Sequence, residues 1–296
     1  MINTKEAKFK TSNNIVGTKN HYVTAFVMMF LAVFFVLFPL YTVFTTSLMS
    51  KYEALGTAFK LWPEQGVSFD SYKTILVDQI GGYSVLGGFV NTIIYYLPTA
   101  AIGTIVSAMA AFAFAKLRFK ASNAMFSILM LNLLVPNSMG MITSFLLYDT
   151  LGWIGTPMPI MIPICFGGIS AVFFLRQFYL KIPDDLVGCA KLDGLGYLGM
   201  FFRIMLPISM PAITAQFILT FIGGYNDYMG PLLYLSGDAK MATLQLALAQ
   251  YQDPRIQDWP LRMAGAFTAM TPLVVMYLCS QKLILKGLDV SAGFKG

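Results

Sequence analysis

Residues 182–211 read IPDDLVGCAKLDGLGYLGMFFRIMLPISMP, a charged, glycine-punctuated segment between strongly apolar stretches. Pro183 with Asp184 and Asp185 suits a helix start, because proline is preorganised for the first turn and carboxylates favour its positive dipole end. Gly194 and Gly196 suit its stop. The pattern predicts a helix of about ten residues, roughly 15 Å long, which is too short and too charged to cross a membrane and should lie along its face. Pro207 and Pro211 then stand where the next apolar run begins.

Those flanking runs decide the fold. The chain has 296 residues, 57% hydrophobic and 11% charged, against the roughly 25% charged residues of a soluble domain. Stretches free of Asp, Glu, Lys and Arg cover Tyr22–Ser50, Gln79–Ala115, Ala121–Tyr148, Thr150–Leu175, Ile204–Asn226 and Met263–Gln281. Each is long enough for one span of ~20 residues. The reading is an all-α membrane protein of six transmembrane helices. The first four fall at about 22–47, 89–115, 122–148 and 158–177, with Pro136 in the third and Pro163 in the fourth. The long run from Gln79 holds one helix, since its beginning (Gly81, Gly82, Gly87, Gly88) is glycine-rich. Residues 1–21 are polar and the first apolar run exceeds a signal core, so no cleavable signal is expected. Cys165, Cys189 and Cys279 are odd in number and have no metal-site spacing.

Charge sets the orientation. Six of the 20 basic residues (Lys51, Lys60, Lys73, Lys240, Arg255 and Arg262) fall on one side of a six-span chain, and the remaining 14 on the other. The positive-inside rule makes the richer side cytoplasmic, with both termini and the 182–203 segment on it. The net charge of +6 then reflects topology and anionic lipid rather than nucleic acid. The chain divides into a cytoplasmic tail (1–21), a first span with an extracellular segment (22–84), a transmembrane core (85–286) containing a cytoplasmic loop (181–206), and a second cytoplasmic tail (287–296).

The loop also carries a resemblance. Ile182-Pro183, Asp185-Leu186, Cys189-Ala190, Asp193-Gly194, Phe201, Phe202, Ile204, Leu206-Pro207 and Pro211 resemble the cytoplasmic loop signature of permeases of binding-protein-dependent ABC importers. The spacing from Gly194 to Leu206 is similar to the carbohydrate branch. Asn91-Thr92, the Tyr225-Asn226-Asp227-Tyr228 cluster and the terminal Gly293-Phe294-Lys295-Gly296 add to it, over roughly residues 85–296, and the six spans fit the smaller, maltose-type subunit. The resemblance implies a type I importer permease in a prokaryotic inner or plasma membrane. It implies as partners a second permease, two ATPases, an extracellular binding protein and a sugar. The loop residues Asp185, Leu186, Gly188, Cys189, Ala190, Asp193, Gly194 and Pro207 would meet an ATPase, Leu186, Val187 and Ala190 filling a groove on it, and Gly293 to Gly296 would insert among the ATPases. One departure stands out: the family's loop glutamate falls at Gly188, and Asp185, three residues earlier on roughly the same helical face, offers a replacement charge.

No glycine-rich phosphate loop, and no Gly-Lys dipeptide, occurs in the chain. An enzymatic role is not expected, no cofactor is expected in this chain, and ATP and its magnesium would belong to the partner ATPases. On helix five Gln216, Thr220, Gly223 and Asp227 follow a 3.6-residue period and form one stripe. A carboxylate within a bilayer faces protein or water rather than lipid. Two readings of the stripe stand. In the first it lines a pathway that hydrogen-bonds sugar hydroxyls, with Asn226 beside it and Tyr225 and Tyr228 offering stacking faces. In the second it is interhelical glue. The extracellular loop 236–261 either meets a binding protein or is a polar connector. Two further alternatives remain for the whole chain: an importer of amino acids, peptides or polyamines, or an autonomous secondary transporter.

Overall fold

The computed structural model describes residues 19–56, 60–117, 119–235, 237–252 and 258–293. Phe294, Lys295 and Gly296, most of the N-terminal tail, Arg118, and Asp253, Pro254 and Arg255 lie outside the described residues.

The chain is helical. A long α1 (Lys19–Ser47) leads through the short α2 (Lys51–Ala54) and α3 (Asp70–Val77) to α4 (Val85–Lys116). Then come α5 (Ser122–Leu131), α6 (Asn137–Thr150), α7 (Met158–Cys165), α8 (Ile169–Tyr179) and α9 (Asp185–Leu192). The last third holds α10 (Tyr197–Met200), α11 (Leu206–Tyr225), α12 (Met229–Leu235), α13 (Leu244–Ala249) and α14 (Trp259–Gly293). Among the described residues, five stretches are long and apolar enough to span a membrane, namely 24–47, 85–116, 158–179, 197–225 and 259–281, and residues 122–134 with 139–150, bent by 102°, add a sixth when that pair is counted as one span.

Proline and glycine account for the departures from straight spans. The single helix expected over 122–148 is two pieces. Pro136 has no N–H to donate and stands with extended backbone before α6, and Val135 before it is extended as well. The fourth span is broken at Gly167, whose φ of +82° suits glycine. The fifth starts earlier than its prolines suggest. Residues 197–225 run continuously, because a π-helical turn at Phe201–Met205 precedes Pro207 and absorbs the irregularity in the ladder. Pro207 and Pro211 therefore lie inside the span rather than at its start.

The hub is α4, which packs against α7, α8, α11 and α13. Its buried residues include Gly88, Thr92, Tyr96, Thr99, Gly103, Ser107, Ala111 and Phe112, a mostly small set at helical spacing that lets neighbouring backbones approach. A Cβ at Gly103 would collide with the Ile164 carbonyl. Toward the N-terminal end of α4, Tyr95, Tyr96, Phe221, Tyr225, Leu244 and Leu248 belong to one apolar cluster. Toward the other, Ala108, Phe112, Tyr179, Ile182, Phe201 and Met205 belong to a second. The first span is peripheral: α1 packs on α14 and exposes the apolar side chains expected to face lipid.

The segment 236–261 is not a polar connector. Ala242, Leu244, Leu246, Ala247 and Tyr251 are buried, and α13 packs on α4. Asn91 Nδ2 donates to the carbonyls of Lys240 (2.7 Å) and Ala242 (2.9 Å), and Thr92 Oγ1 accepts from Leu244 N–H (2.9 Å). The Asn91-Thr92 pair thus clamps this segment by its backbone.

Within α2, the buried Glu53 accepts from Glu64 N–H (2.7 Å) and pairs with Lys60 (3.5 Å). The Glu64 N–H, aided by Lys60, holds the Glu53 carboxyl below the usual carboxylate range despite burial. A lowered folded-state pKa contributes stability above the unfolded value, about 4.3, that is lost as pH falls through the folded value. Protease cleavage within 48–65 is therefore expected to rise below about pH 4 in the native chain, and to depend less on pH in Glu53→Gln. Gly103→Ala should lower the unfolding temperature in detergent by an amount matching roughly 1–3 kcal/mol of overpacking. Gly140→Ala, where an added Cβ meets nothing within 4 Å, should not.

Candidate functional site

Between the two apolar clusters the helices leave a cavity of about 750 Å³, open on one side. One wall is Tyr96, Gly103 and Ser107 of α4; a second is Gly167, Gly168, Ser170 and Phe174 at the broken fourth span; the third is Gln216, Leu219, Thr220, Gly223 and Asp227 of α11 and its C-terminal turn. All members of the polar stripe thus line one cavity. Gly223 keeps its wall open, since a Cβ there meets nothing within 4 Å.

The break and the cavity arise together. Ser107 Oγ accepts the Gly168 N–H at 3.1 Å, which satisfies a backbone donor freed by the interruption of the helix. The polar groups hold one another in place: Gln216 Nε2 donates to Thr220 Oγ1 (3.1 Å), Tyr96 OH to Asp227 Oδ2 (3.3 Å), and Gly230 N–H to Asp227 Oδ1 (3.1 Å). The Gln216 carbonyl, the exposed Ser170 hydroxyl and the lone pairs of Asp227 are further polar groups on the lining. Among the described residues, Asp227 is the one charged residue that lines the cavity, and no cation does.

The tetrad 225–228 splits apart, because α11 ends at Tyr225 and the chain turns at Asn226. Only Asp227 joins the cavity. Asn226 lines a separate 230 Å³ cavity with Gln245, Gln252 and Arg262. Tyr228 is partly exposed beside the helix end, away from the lining. Tyr225 is 1% exposed and its hydroxyl donates to the Ala269 carbonyl at 2.9 Å. It packs on Phe221 and does not offer the stacking face expected of it. Tyr96 and Phe174 are the aromatic side chains that do line the cavity. The sequence reading missed them, along with Gly103 and Ser107. The available signal was Gly167-Gly168 inside a charge-free run, which marks a place where another backbone comes close.

The 182–203 segment forms the short helix expected, with tighter ends. Asp185–Leu192 is helical, Asp193 is its C-cap and Gly194 follows at φ +77°. Val187 and Ala190 are buried in this chain's own apolar cluster, which removes them from the residues that could fill a partner's groove. Asp185, Leu186, Gly188, Cys189 and Leu192 form the exposed face. Gly293 ends the described backbone of α14.

Residues 89–290 match the family described as the binding-protein-dependent transport system inner membrane component, and the chain belongs to that family of transport permeases. The arabinooligosaccharides transport system permease protein AraQ of Bacillus subtilis is 31% identical over 93% of this chain and 95% of its own. The sn-glycerol-3-phosphate transport system permease protein UgpE of Agrobacterium fabrum is 29% identical over 90% of this chain and 95% of its own. A chain of a bacterial ABC transporter involved in import of the acidic polysaccharide alginate superposes with a TM-score of 0.73 at 20% identity, over 90% of this chain and 98% of that one, and so shares the fold.

Two substitutions test the cavity. Gly223→Leu projects a side chain into open space, so uptake should fall while membrane abundance and unfolding temperature hold. Asp227→Ala removes the acceptor of Tyr96 and Gly230, and should reduce uptake per folded molecule more than it reduces abundance. Radiolabelled uptake normalised to immunoblotted protein measures both.

Proposed function

We propose that this chain is a translocation subunit of an ATP-driven ABC importer for a neutral sugar or oligosaccharide, in a prokaryotic cell membrane with both termini cytoplasmic. The observation that carries the cargo is the cavity lining: a 750 Å³ space walled mostly by apolar atoms, with hydroxyl, amide and a single carboxylate set among them, an aromatic face and, among the described residues, no cation. Such a wall suits an uncharged polyol, which exchanges water for these groups and lays an apolar ring face on the exposed Phe174. An anion would meet Asp227 with no counter-charge from this chain. The relative named for arabinooligosaccharides supports the same cargo class.

ATP binding and hydrolysis, with magnesium, belong to two separate ATPase subunits. A second permease completes the pathway, and an extracellular binding protein delivers the sugar. The exposed face of α9 receives the ATPase, and Gly293 with the three residues after it reaches between the motor subunits. ATP favours one global arrangement of the assembly and its hydrolysis products the other, which alternately exposes the cavity. Purification with the neighbouring subunits should yield ATP hydrolysis stimulated by one sugar-loaded binding protein. Ion-gradient-driven transport by this chain alone in liposomes would overturn the reading.

The α9 geometry makes the motor contact testable. Gly194→Val places a β-branched residue at φ +77°, a conformation disfavoured by about 1–2 kcal/mol or more. It should uncouple ATP hydrolysis from uptake or stop the ATPases co-purifying, while the spans still insert. Gly188 is exposed with no neighbour within 4 Å of an added Cβ. Gly188→Glu should therefore be accommodated, adding about 1 kcal/mol of helix propensity and maintaining or strengthening co-purification.

A further inference from the structure

The last residue of α4, Lys116, is used in a way the cavity does not require. Lysine is rarely withdrawn from water unless paired, yet only 3% of this side chain is exposed. Its Nζ donates to the Ile182 carbonyl at 2.5 Å and to Asp184 Oδ1 at 2.6 Å. These acceptors flank Pro183, and Asp184 is the N-cap residue of α9. The charges match the helix ends that carry them, a cation at the C-terminus of α4 and a carboxylate at the N-terminus of α9. Beneath them, Ile182, Val187 and Ala190 share an apolar cluster with Ala108, Ala111 and Phe112 of α4. The helix that presents its outer face to a partner is thus fastened to α4 by its apolar underside and by a buried cation at its first turn.

That attachment leads to the cavity, because Ser107 lies nine positions before Lys116 on the same helix, about 14 Å away. A buried ammonium must keep its partners or leave for water, so the contact is either made or broken. We propose that Lys116 is a positioning residue, the latch that makes α9 and α4 move as one body, so that displacement of α9 by a motor reaches the wall formed by Gly103 and Ser107. This rests on the reading of α9 as the ATPase contact.

The test uses the whole reconstituted importer in proteoliposomes and measures sugar taken up per ATP hydrolysed. Lys116→Met keeps the apolar stem and removes the charge. It should lower that ratio roughly 5-fold or more with the complex still assembled and hydrolysing ATP, and Lys116→Arg should restore most of it. A role in folding alone would lower assembly, hydrolysis and uptake together and leave the ratio unchanged, and that outcome overturns the latch. A second measurement does not rely on uptake. With the native cysteines replaced, spin labels at Ile102 of α4 and Lys191 of α9, both exposed, should report one unchanged separation with and without ATP. In Lys116→Met the separation should broaden or shift with nucleotide. A nucleotide-dependent separation in the unmodified importer also overturns the latch. A wild-type assembly that hydrolyses ATP without any coupled uptake overturns the reading of α9 itself, and the latch with it.

Discussion

The contact between the middle of α4 and the break separating α7 from α8 sets what the rest of the molecule can do. An interrupted helix frees backbone donors and acceptors, which lipid cannot satisfy, so the break is tolerated only where protein or a cavity meets it. The interruption survives because α4 supplies Ser107 Oγ to Gly168 N–H and has no side chain at Gly103, where the Ile164 carbonyl sits. Each half of the arrangement needs the other. A bulkier residue at Gly103 would push the break away, and loss of the hydroxyl would leave the Gly168 amide unpaired. With both in place, the fourth span resumes at Ile169 and Gly167, Gly168 and Ser170 form one wall of the cavity.

The packing on either side of that contact is closed. One apolar cluster gathers aromatic rings of α4, α11 and α12 with the buried α13, and the other gathers the opposite end of α4 with α8, α9 and the π-helical turn. Close-packed cores resist gradual deformation, so large motions proceed by rigid bodies shifting against one another. This molecule has two dense ends and an open middle whose mostly apolar wall carries a few polar groups. The open space, the hydrogen-bonding groups and the small residues coincide halfway along α4.

Much of this was legible in the sequence, for identifiable reasons. Charge-free runs give spans because the cost of burying Asp, Glu, Lys or Arg in hydrocarbon is large and local. The stripe Gln216, Thr220, Gly223 and Asp227 was readable because helical periodicity fixes which residues share a face. What escaped depended on distant partners. Nothing near Leu244 or Tyr251 in sequence announces that this loop is core; its burial follows from Asn91 and Thr92, about 150 positions away, which hold its backbone. Tyr225 was misplaced because a contiguous tetrad was read as one surface, although its members point in different directions. Pro136 breaks its span completely, whereas Pro207 sits in a continuous one, and the difference lies in a π-helical turn that no composition predicts.

The short helix α9 shows how one surface serves two masters. Val187 and Ala190 are spent on this chain's own core, while Leu192, 89% exposed, and the partly exposed Leu186 face outward beside Gly188 and Cys189. Fully burying one leucine is worth about 1.5–3 kcal/mol, so two apolar side chains on the outward face of so short a helix favour contact with another apolar surface. The residue that would add a charged contact, glutamate in the family's loop, is replaced here by Gly188. In the proposed motor contact, shape and apolar area would carry more of the interface, with Asp185 as the nearby carboxylate on the same face. An interface of that kind can bind firmly only if the helix presenting it is itself held firmly. The buried underside of α9 and the Lys116 contact at its first turn provide that hold from within the same chain.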